Sequence, residues 1–547
     1  MHGMATDKPL IIQSDRTLML DVHSPSFDDC RNQIIAFSEL IKAPEHVHTY
    51  NISPISLWNA ASAGISADEI LQRLDRWTRF PIPTNVAKFI EDITSRYGKL
   101  KLYPFNEERY LLKVSDSLIA HAIASDQKLK DLVHRTDRAG EFEILKYDRG
   151  TAKLALIKLG YPVDDLIPLV KSEPVLISLK AELRSYQDQA VKSILGDMGP
   201  GTGFGTIVMP CGSGKTLVGM ALMSHLQTRT LILCPNVVAV HQWIAELKAK
   251  TDIDSSLIGE YSGEKKEIKP ITVCTYQVLT YRASKTDPFE HMSIIEKGNW
   301  GLVLYDEVHM LPAPVFKITA ELQAIYRAGL TATLIREDGR EEDVFSLVGP
   351  KRFDIPWTDL SQSGWIASAY CVEVRIPLPE ESSLPYAMAS KREKYKIAST
   401  NIRKEKVIEA LLAKHKGESI LIIGQYLDQL KEVQKHFGFP MITGSTSNTK
   451  RDELYAAFRE GKEKIIIVSK VANFAIDLPD ASVAIQISGT FGSRQEEAQR
   501  LGRILRPKDR TSFFYSVISR YTVEEEFSQN RQCFLVEQGY KYELMEV

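Results

Sequence analysis

The sequence predicts an α/β chain in which two parallel-sheet lobes follow a mostly helical N-terminal domain. Three observations carry this. Between about residues 180 and 350, apolar strand-like runs alternate with longer amphipathic stretches, the same alternation restarts near residue 403, and a bridge joins the two. Continuous Val/Ile/Leu runs separated by helices belong to parallel sheets covered on both faces, since such strands have no solvent side to alternate with. Two such units in succession make two lobes.

In the first unit the strands are TIVMP (206–210), TLILCP (230–235), ITVCTY (271–276) and LVLYDE (302–307), with helices over 214–227 and 239–250. The second unit reads as helix 403–415, strand SILIIG (419–424), helix 426–436, and strands KIIIVS (464–469) and SVAIQIS (482–488). The first 135 residues differ, with helical periodicity at 66–79 and 85–97 and no chemical motif. A charged stretch, 131–150, separates them from the first lobe. The expected division is therefore 1–135 (N-terminal domain), 136–178 (small linker module), 179–370 (first lobe) and 371–547 (second lobe). Because few contacts should cross a charged, poorly apolar boundary, a chain starting near residue 136 is expected to stay soluble.

At 547 residues the chain exceeds a single core. Lys+Arg 68 against Asp+Glu 70 leaves a net charge of −2, so any polyanion must be met by a local groove rather than by overall charge. The six cysteines (Cys30, Cys211, Cys234, Cys274, Cys371, Cys533) include no CxxC pair, which argues against zinc and iron–sulfur centres and for a reducing compartment. The N-terminus MHGMATDKPL has no apolar core, no run approaches a membrane span, and Gly3 sits one place too late for myristoylation. The expectation is a cytoplasmic protein.

The sharpest motif is Pro210-Cys211-Gly212-Ser213-Gly214-Lys215-Thr216, between an apolar strand and a helix. Consecutive backbone N–H groups there can wrap a phosphate, and the helix dipole favours the anion. Lys215 would reach the β- and γ-phosphates, and the Thr216 hydroxyl would bind Mg²⁺. The usual first glycine of this pattern is Met209. The stretch GPGTGFG (199–205) precedes the strand and reads as a connection, not a dinucleotide site. The second motif, Tyr305-Asp306-Glu307-Val308-His309, ends an apolar strand. Asp306 is assigned to the metal opposite Thr216, and Glu307 to the attacking water. The third, QRLGRILRP (499–507), places Arg503 and Arg506 three apart on one helix face, suited to stabilising charge on a γ-phosphate from another lobe.

PCGSGKT, YDEVH, LTATL and QRLGRILRP in this order resemble the motifs of superfamily 2 helicases. Further stretches resemble the XPB (xeroderma pigmentosum group B) DNA helicases in their bacterial form: LRSYQDQAV (183–191), TYQVL (275–279), RED (336–338), SKVANFAIDLPDASVAIQIS (469–488), FLVEQGY (534–540) and APEHVHTYNISPISLWNAASAG (43–64). That family also lacks the first glycine of the loop. The resemblance implies two RecA-like lobes with ATP and Mg²⁺ in the cleft between them, 3′→5′ polarity and a role in repair. It makes Gln187 the reader of adenine and adds Gln499 to the nucleotide site. It assigns Thr331 and Thr333 to coupling nucleotide state to lobe movement, Asp477 to sensing nucleotide and strand together, and Arg336, Glu337 and Asp338 to DNA opening.

Strand contacts are expected from Pro235-Asn236, Thr275-Tyr276 and Thr443-Gly444-Ser445-Thr446, each of which could equally be a helix cap. The basic segment Lys391–Lys396 lies where the family carries a thumb-like insertion, and a solvated charged helix is its equal rival. The expected partner is DNA, as single strand and at forks or duplex, with room for a nuclease partner, no membrane and a monomeric chain. A double-strand translocase that remodels DNA without processive unwinding is the alternative within the same chemistry. A scaffold whose ATP site only gates partner binding is the alternative from another class, disfavoured by intact Lys215, Glu307, Arg503 and Arg506.

Overall fold

A computed structural model describes residues 8–42, 46–169, 172–196, 198, 202–210, 212–263, 265–281, 291, 294, 298–311, 325–332, 341–355, 360, 369–469, 481–489, 511–537 and 542–547. Four sheets organise them. The N-terminal domain holds an antiparallel sheet of β1 (Leu10–Ile12), β2 (Thr17–Asp21), β3 (Glu39–Lys42) and β4 (Val47–Asn51), in the order β1-β2-β4-β3. Its helices are α1 (Phe27–Ile34), α2 (Pro54–Ser62), α3 (Ala67–Trp77) and α4 (Thr84–Arg96). The last two are the helices expected at 66–79 and 85–97. Each buries one stripe, Ile70, Leu74 and Trp77 on α3 and Val86, Ile90 and Ile93 on α4, as helical periodicity requires. Ser66 caps α3 by accepting the Glu69 N–H, and Ser53 and Ser56 cap α2 reciprocally, with Pro54 at its first turn.

The second sheet corrects the expected division at 135/136. It comprises β5 (Leu100–Pro104), β6 (Arg109–Val114), β7 (His134–Arg135), β8 (Glu141–Leu145) and β9 (Val163–Asp165), in the order β7-β8-β6-β5-β9. It carries α5 (Ser117–Ser125) and α6 (Arg149–Lys158). The charged stretch thus contains a hairpin, β7 and β8 with the turn between them, with His134 opposite Glu143 and Arg135 opposite Phe142. Beneath it lies a buried charge cluster. Asp165 accepts bonds from Arg149 Nε at 3.0 Å, Arg149 Nη2 at 2.7 Å and Lys153 Nζ at 2.9 Å. Burial alone would raise the Asp165 carboxyl, but Lys153 and Arg149 outweigh it and hold it well below the usual range. A chain beginning at residue 136 loses β5, β6 and β7 and leaves β8 and β9 without neighbours. Its soluble yield should fall far below that of a chain beginning at residue 172, which removes both N-terminal units whole. Equal yields would refute the single-module assignment.

The first lobe is a seven-stranded, wholly parallel sheet in the order β12-β13-β11-β14-β15-β10-β16. Its elements run α7 (Ser185–Leu195), β10 (Phe204–Val208), α8 (Lys215–Leu226), β11 (Thr230–Cys234), α9 (Val237–Lys250), β12 (Ile258–Tyr261), β13 (Ile271–Thr275), α10 (Tyr276–Leu279), β14 (Leu302–Asp306), β15 (Tyr326–Thr331), α11 (Glu341–Leu347) and β16 (Lys351–Asp354). The central strands β10, β11, β13 and β15 are buried at every position. The second lobe repeats the plan in the order β19-β20-β18-β21-β22-β17-β23, again all parallel. Its elements are β17 (Ala369–Ile376), α12 (Glu380–Met388), α13 (Lys391–Ser399), α14 (Lys404–Lys414), β18 (Ile420–Gly424), α15 (Leu427–Phe437), β19 (Met441–Ile442), α16 (Asn448–Arg459), β20 (Ile465–Ser469), β21 (Val483–Gln486), β22 (Ser512–Ser519), α17 (Val523–Glu537) and β23 (Tyr542–Glu546).

The N-terminal domain rests on both lobes. Its apolar core takes in Phe345 of α11 and Val536 of α17. The Lys351 N–H donates to Asn59 Oδ1 at 2.9 Å, and Arg352 Nη1 donates to the Ser62 carbonyl at 3.1 Å.

Candidate active site

In a parallel sheet, ligands meet the carboxyl ends of the strands, and the first-lobe motifs gather there. The β10 and β14 strands are separated by β15 alone, so the phosphate loop and the Asp306-Glu307 pair stand on either side of Thr331. The Met209 N–H donates to the Thr331 carbonyl at 2.9 Å, and the Met209 side chain is fully buried in the lobe core. A glycine is therefore not needed at 209. It is needed deeper in the loop. Gly212 (φ 79°) and Gly214 (φ 84°) occupy the left-handed region, and a Cβ on Gly214 would lie 2.5 Å from Gln187 Nε2.

The loop is braced from α7. Gln187 Nε2 and the Tyr186 hydroxyl both donate to the Ser213 carbonyl at 2.9 Å, while Gln187 Oε1 accepts the Arg184 N–H at 2.9 Å. Gln187 thus touches the phosphate loop. Ser213 Oγ donates to the Pro210 carbonyl at 2.6 Å. Lys215 Nζ lies 3.3 Å from the Met209 carbonyl and 3.5 Å from that of Pro210, inside the loop mouth, and 3.8 Å from Glu307 Oε1. Thr216 stands on the first turn of α8, half-buried.

Across the sheet edge, Asp306 is held at two points. Its Oδ2 accepts Trp243 Nε1 at 3.0 Å, and its carbonyl accepts the Tyr276 hydroxyl at 2.7 Å. Burial, and then the neighbouring Glu307 charge, push the Asp306 carboxyl up to about 7. Glu307 adopts φ 48°, ψ 57°, a left-handed conformation costing a non-glycine residue about 1–2 kcal/mol. That turn aims its carboxylate back at the loop, with Oε1 towards Lys215 and Oε2 3.5 Å from His309 Nδ1. The buried His309 ring in turn meets Thr331 Oγ1 at 2.6 Å. Two oxygen donors of the kind Mg²⁺ takes, Thr216 and Asp306, thus accompany a backbone cradle and a cation, and this donor set fits a magnesium-bound nucleotide phosphate.

The structure therefore brings Gln187, Pro210, Gly212, Ser213, Gly214, Lys215, Thr216, Asp306, Glu307 and Thr331 to one strand edge. Cys211, Thr333, Arg336, Glu337, Asp338, Asp477, Gln499, Arg503 and Arg506 lie outside the described residues. Thr275 and Asn236 turn out to be caps, accepting the Val278 and Ala239 N–H groups at 3.3 and 2.9 Å. In the second lobe Thr443, Ser445 and Thr446 bond among themselves. The basic segment is helix α13, closed by a Ser390–Glu393 capping box and anchored by Tyr395, whose hydroxyl donates to the Gly489 carbonyl at 2.8 Å. Sequence reasoning assigns no catalytic-site role to Trp243, Tyr276 or His309. His309 stands in the second motif, whereas nothing about the composition around Trp243 marks it as anything but core.

A phosphate cradle facing a paired carboxylate, on the first of two wholly parallel seven-stranded sheets, defines a two-lobed nucleotide-dependent motor of the superfamily 2 helicase class. The ERCC3/RAD25/XPB C-terminal helicase family matches residues 360–547, the type III restriction enzyme res subunit family matches 180–336, and a helicase conserved C-terminal domain matches 10–137. The chain is 46% identical to the DNA 3′-5′ helicase XPB of Kineococcus radiotolerans, covering 99% of this chain and 97% of that one. It is 47% identical to the protein of the same name from Mycobacterium tuberculosis, covering 98% and 97%. The general transcription and DNA repair factor IIH helicase/translocase subunit XPB of Enterocytozoon bieneusi is 34% identical, over 99% of this chain and 93% of its own. The chain belongs to the XPB family of DNA helicases.

Proposed function

We propose that this protein is an ATP-dependent DNA helicase that moves 3′→5′ along one strand and serves DNA repair. The observation that carries the reading is the facing of Lys215 and Glu307, 3.8 Å apart across the mouth of the phosphate loop. A structural turn has no use for a lysine aimed at a strained glutamate. When bound, Mg²⁺ supplies charge neutralisation between the phosphates, and Thr216 and Asp306 are the residues to hold it. Gly212, Ser213 and Gly214 would present backbone N–H groups to the phosphates, Lys215 would neutralise them, and Glu307 would orient water. Arg503 and Arg506 would complete the site from the second lobe, with Gln187 and Gln499 at the base and Asp477, Thr331 and Thr333 relaying its state.

The protein is expected to act as a monomer in the cytoplasm, with a nuclease as a fitting partner. Among the described residues no helix is long and apolar enough to cross a membrane. Hydrolysis should rise strongly with single-stranded DNA or forks and little with RNA at matched salt, which must be fixed because phosphate contacts weaken steeply with it. The same preparations should open a forked duplex. Triplex displacement without fork opening would replace the helicase with a double-strand translocase. Hydrolysis indifferent to every nucleic acid would leave only a gated scaffold.

A further inference from the structure

A chain with a net charge of −2 must meet any polyanion in a local groove, and the N-terminal domain holds one well apart from the ATP site. Helices α1 and α3 flank an open groove of about 550 Å³, lined by Asn32, Gln33, Glu69, Gln72, Arg73 and Arg76. Neither an apolar side chain nor an aromatic ring stands in that lining, so it suits neither a hydrophobic helix nor a stacked base.

What the groove offers is set from beneath. Trp77, almost wholly buried, donates Nε1 to Gln33 Oε1 at 2.8 Å, and the buried Arg31 donates Nη2 to Asn32 Oδ1 at 3.2 Å. Indole and guanidinium nitrogens can only donate, so the atoms they meet must be the amide oxygens. Each amide therefore keeps its NH2 group for the groove. The Arg76 guanidinium lies over the Trp77 ring at 4.9 Å, and no carboxylate among the described residues pairs with it. Glu69, the one carboxylate in the lining, is already taken by Arg73 Nη2. Arg73 and Arg76 stand three apart on α3 and share one face. Two guanidinium groups and two oriented amides thus converge as donors, against a single acid that is already paired.

Resting on the helicase reading above, we propose that this groove is a second DNA site, which takes the phosphodiester backbone without reading its sequence. Unbridged phosphate oxygens are acceptors only, which matches a lining made of donors, and guanidinium forks fit them bidentately. Contacts of this kind position a nucleic acid and carry no sequence information. The domain is fastened to the first lobe elsewhere, through Asn59 and Ser62 of α2. DNA seated between α1 and α3 is therefore held relative to the motor. One molecule that reaches both sites gains affinity from the second contact.

The test compares the full chain with Gln72→Glu and Arg76→Gln, both at exposed positions outside the ATP site. Affinity for a fluorescent forked DNA is measured by anisotropy across a salt series. Beside it run DNA-free ATP hydrolysis, melting temperature and anisotropy with labelled poly-L-glutamate. Each variant should bind the fork about three- to tenfold more weakly at fixed salt. In Arg76→Gln the slope of log affinity against log salt should also shrink by about 1. DNA-free hydrolysis and melting temperature should match wild type. Arg76→Lys should keep the slope, because the charge remains, and lose part of the affinity along with the fork. Fork affinity equal to wild type in both Gln72→Glu and Arg76→Gln overturns the proposal. So does polyglutamate binding that both variants lose while fork affinity stays, which would give the groove to an acidic protein segment. If Arg76→Gln melts early through loss of its contact with Trp77, Gln72→Glu decides alone. A wild-type chain that binds no DNA would defeat the helicase reading itself, whereas a wild-type affinity indifferent to these substitutions defeats the groove alone.

Discussion

Lys215→Ala and Glu307→Gln should each reduce steady-state ATP hydrolysis to near background, and they should do so by different routes. The Lys215 ammonium contacts the Met209 and Pro210 carbonyls and faces Glu307, so it is positioned to meet phosphates as soon as nucleotide enters. Its loss removes a charge-assisted interaction from the ground state as well as from the transition state. Interactions of that kind are worth about 1.5–3 kcal/mol, which is about 10- to 100-fold in ATP affinity. Glu307→Gln keeps the shape of the side chain and the turn, but amide nitrogen replaces one acceptor oxygen. Ground-state binding should survive, while orientation of water should fail by about 10²–10⁴ in kcat. Nucleotide affinity measured by equilibrium titration, next to single-turnover hydrolysis, separates the two. Equal loss of ATP affinity in both variants would show that the roles have been assigned wrongly.

How much of this is legible in the sequence depends on where each signal is written. The phosphate loop is readable because its chemistry is local, with two glycines, a lysine and a threonine at fixed offsets between a strand and a helix. The same holds for β11, β13, β14, β18, β20 and β21, whose continuous apolar runs leave no other reading. Strand β15 escapes such a reading, although it lies at the centre of its sheet, because YRAGLT places Arg327 in the core. That arginine is fully buried over the Phe204 ring at 5.0 Å, a tertiary arrangement that composition cannot display. The 135/136 division fails for a related reason. Most charges of 131–150 do face solvent, but on a hairpin rather than in a linker, while Arg149 is buried against Asp165, and strand pairing between β8 and β6 is invisible to local polarity. At Asn236 and Thr275 the sequence allows either a cap or a strand contact, and capping is what the side chains do. Trp243 is beyond reach, since its role depends on the space left by Gly219, a helix away.

Arg503→Ala and Arg506→Ala should each lower kcat by about 10³–10⁵ while leaving ATP affinity nearly unchanged. The first lobe's described residues supply one cation, Lys215, at the phosphate loop, and that cation already has Glu307 across from it. As a γ-phosphoryl group transfers, charge spreads over its peripheral oxygens, and a fixed guanidinium is worth most at that moment. If the guanidinium arrives from the second lobe, hydrolysis must be tied to closure of the cleft, and closure is the step that converts chemistry into movement along a strand. A chain ending near residue 370 keeps the whole first sheet, from β10 to β16. It should therefore fold and bind nucleotide weakly, yet turn over almost none of it, with or without DNA. Adding the second lobe as a separate chain should restore little, because the two must be held at high effective concentration to meet. Appreciable DNA-stimulated hydrolysis by the shortened chain alone would mean that the site is complete within one lobe, and that the second lobe serves the strand and not the phosphate.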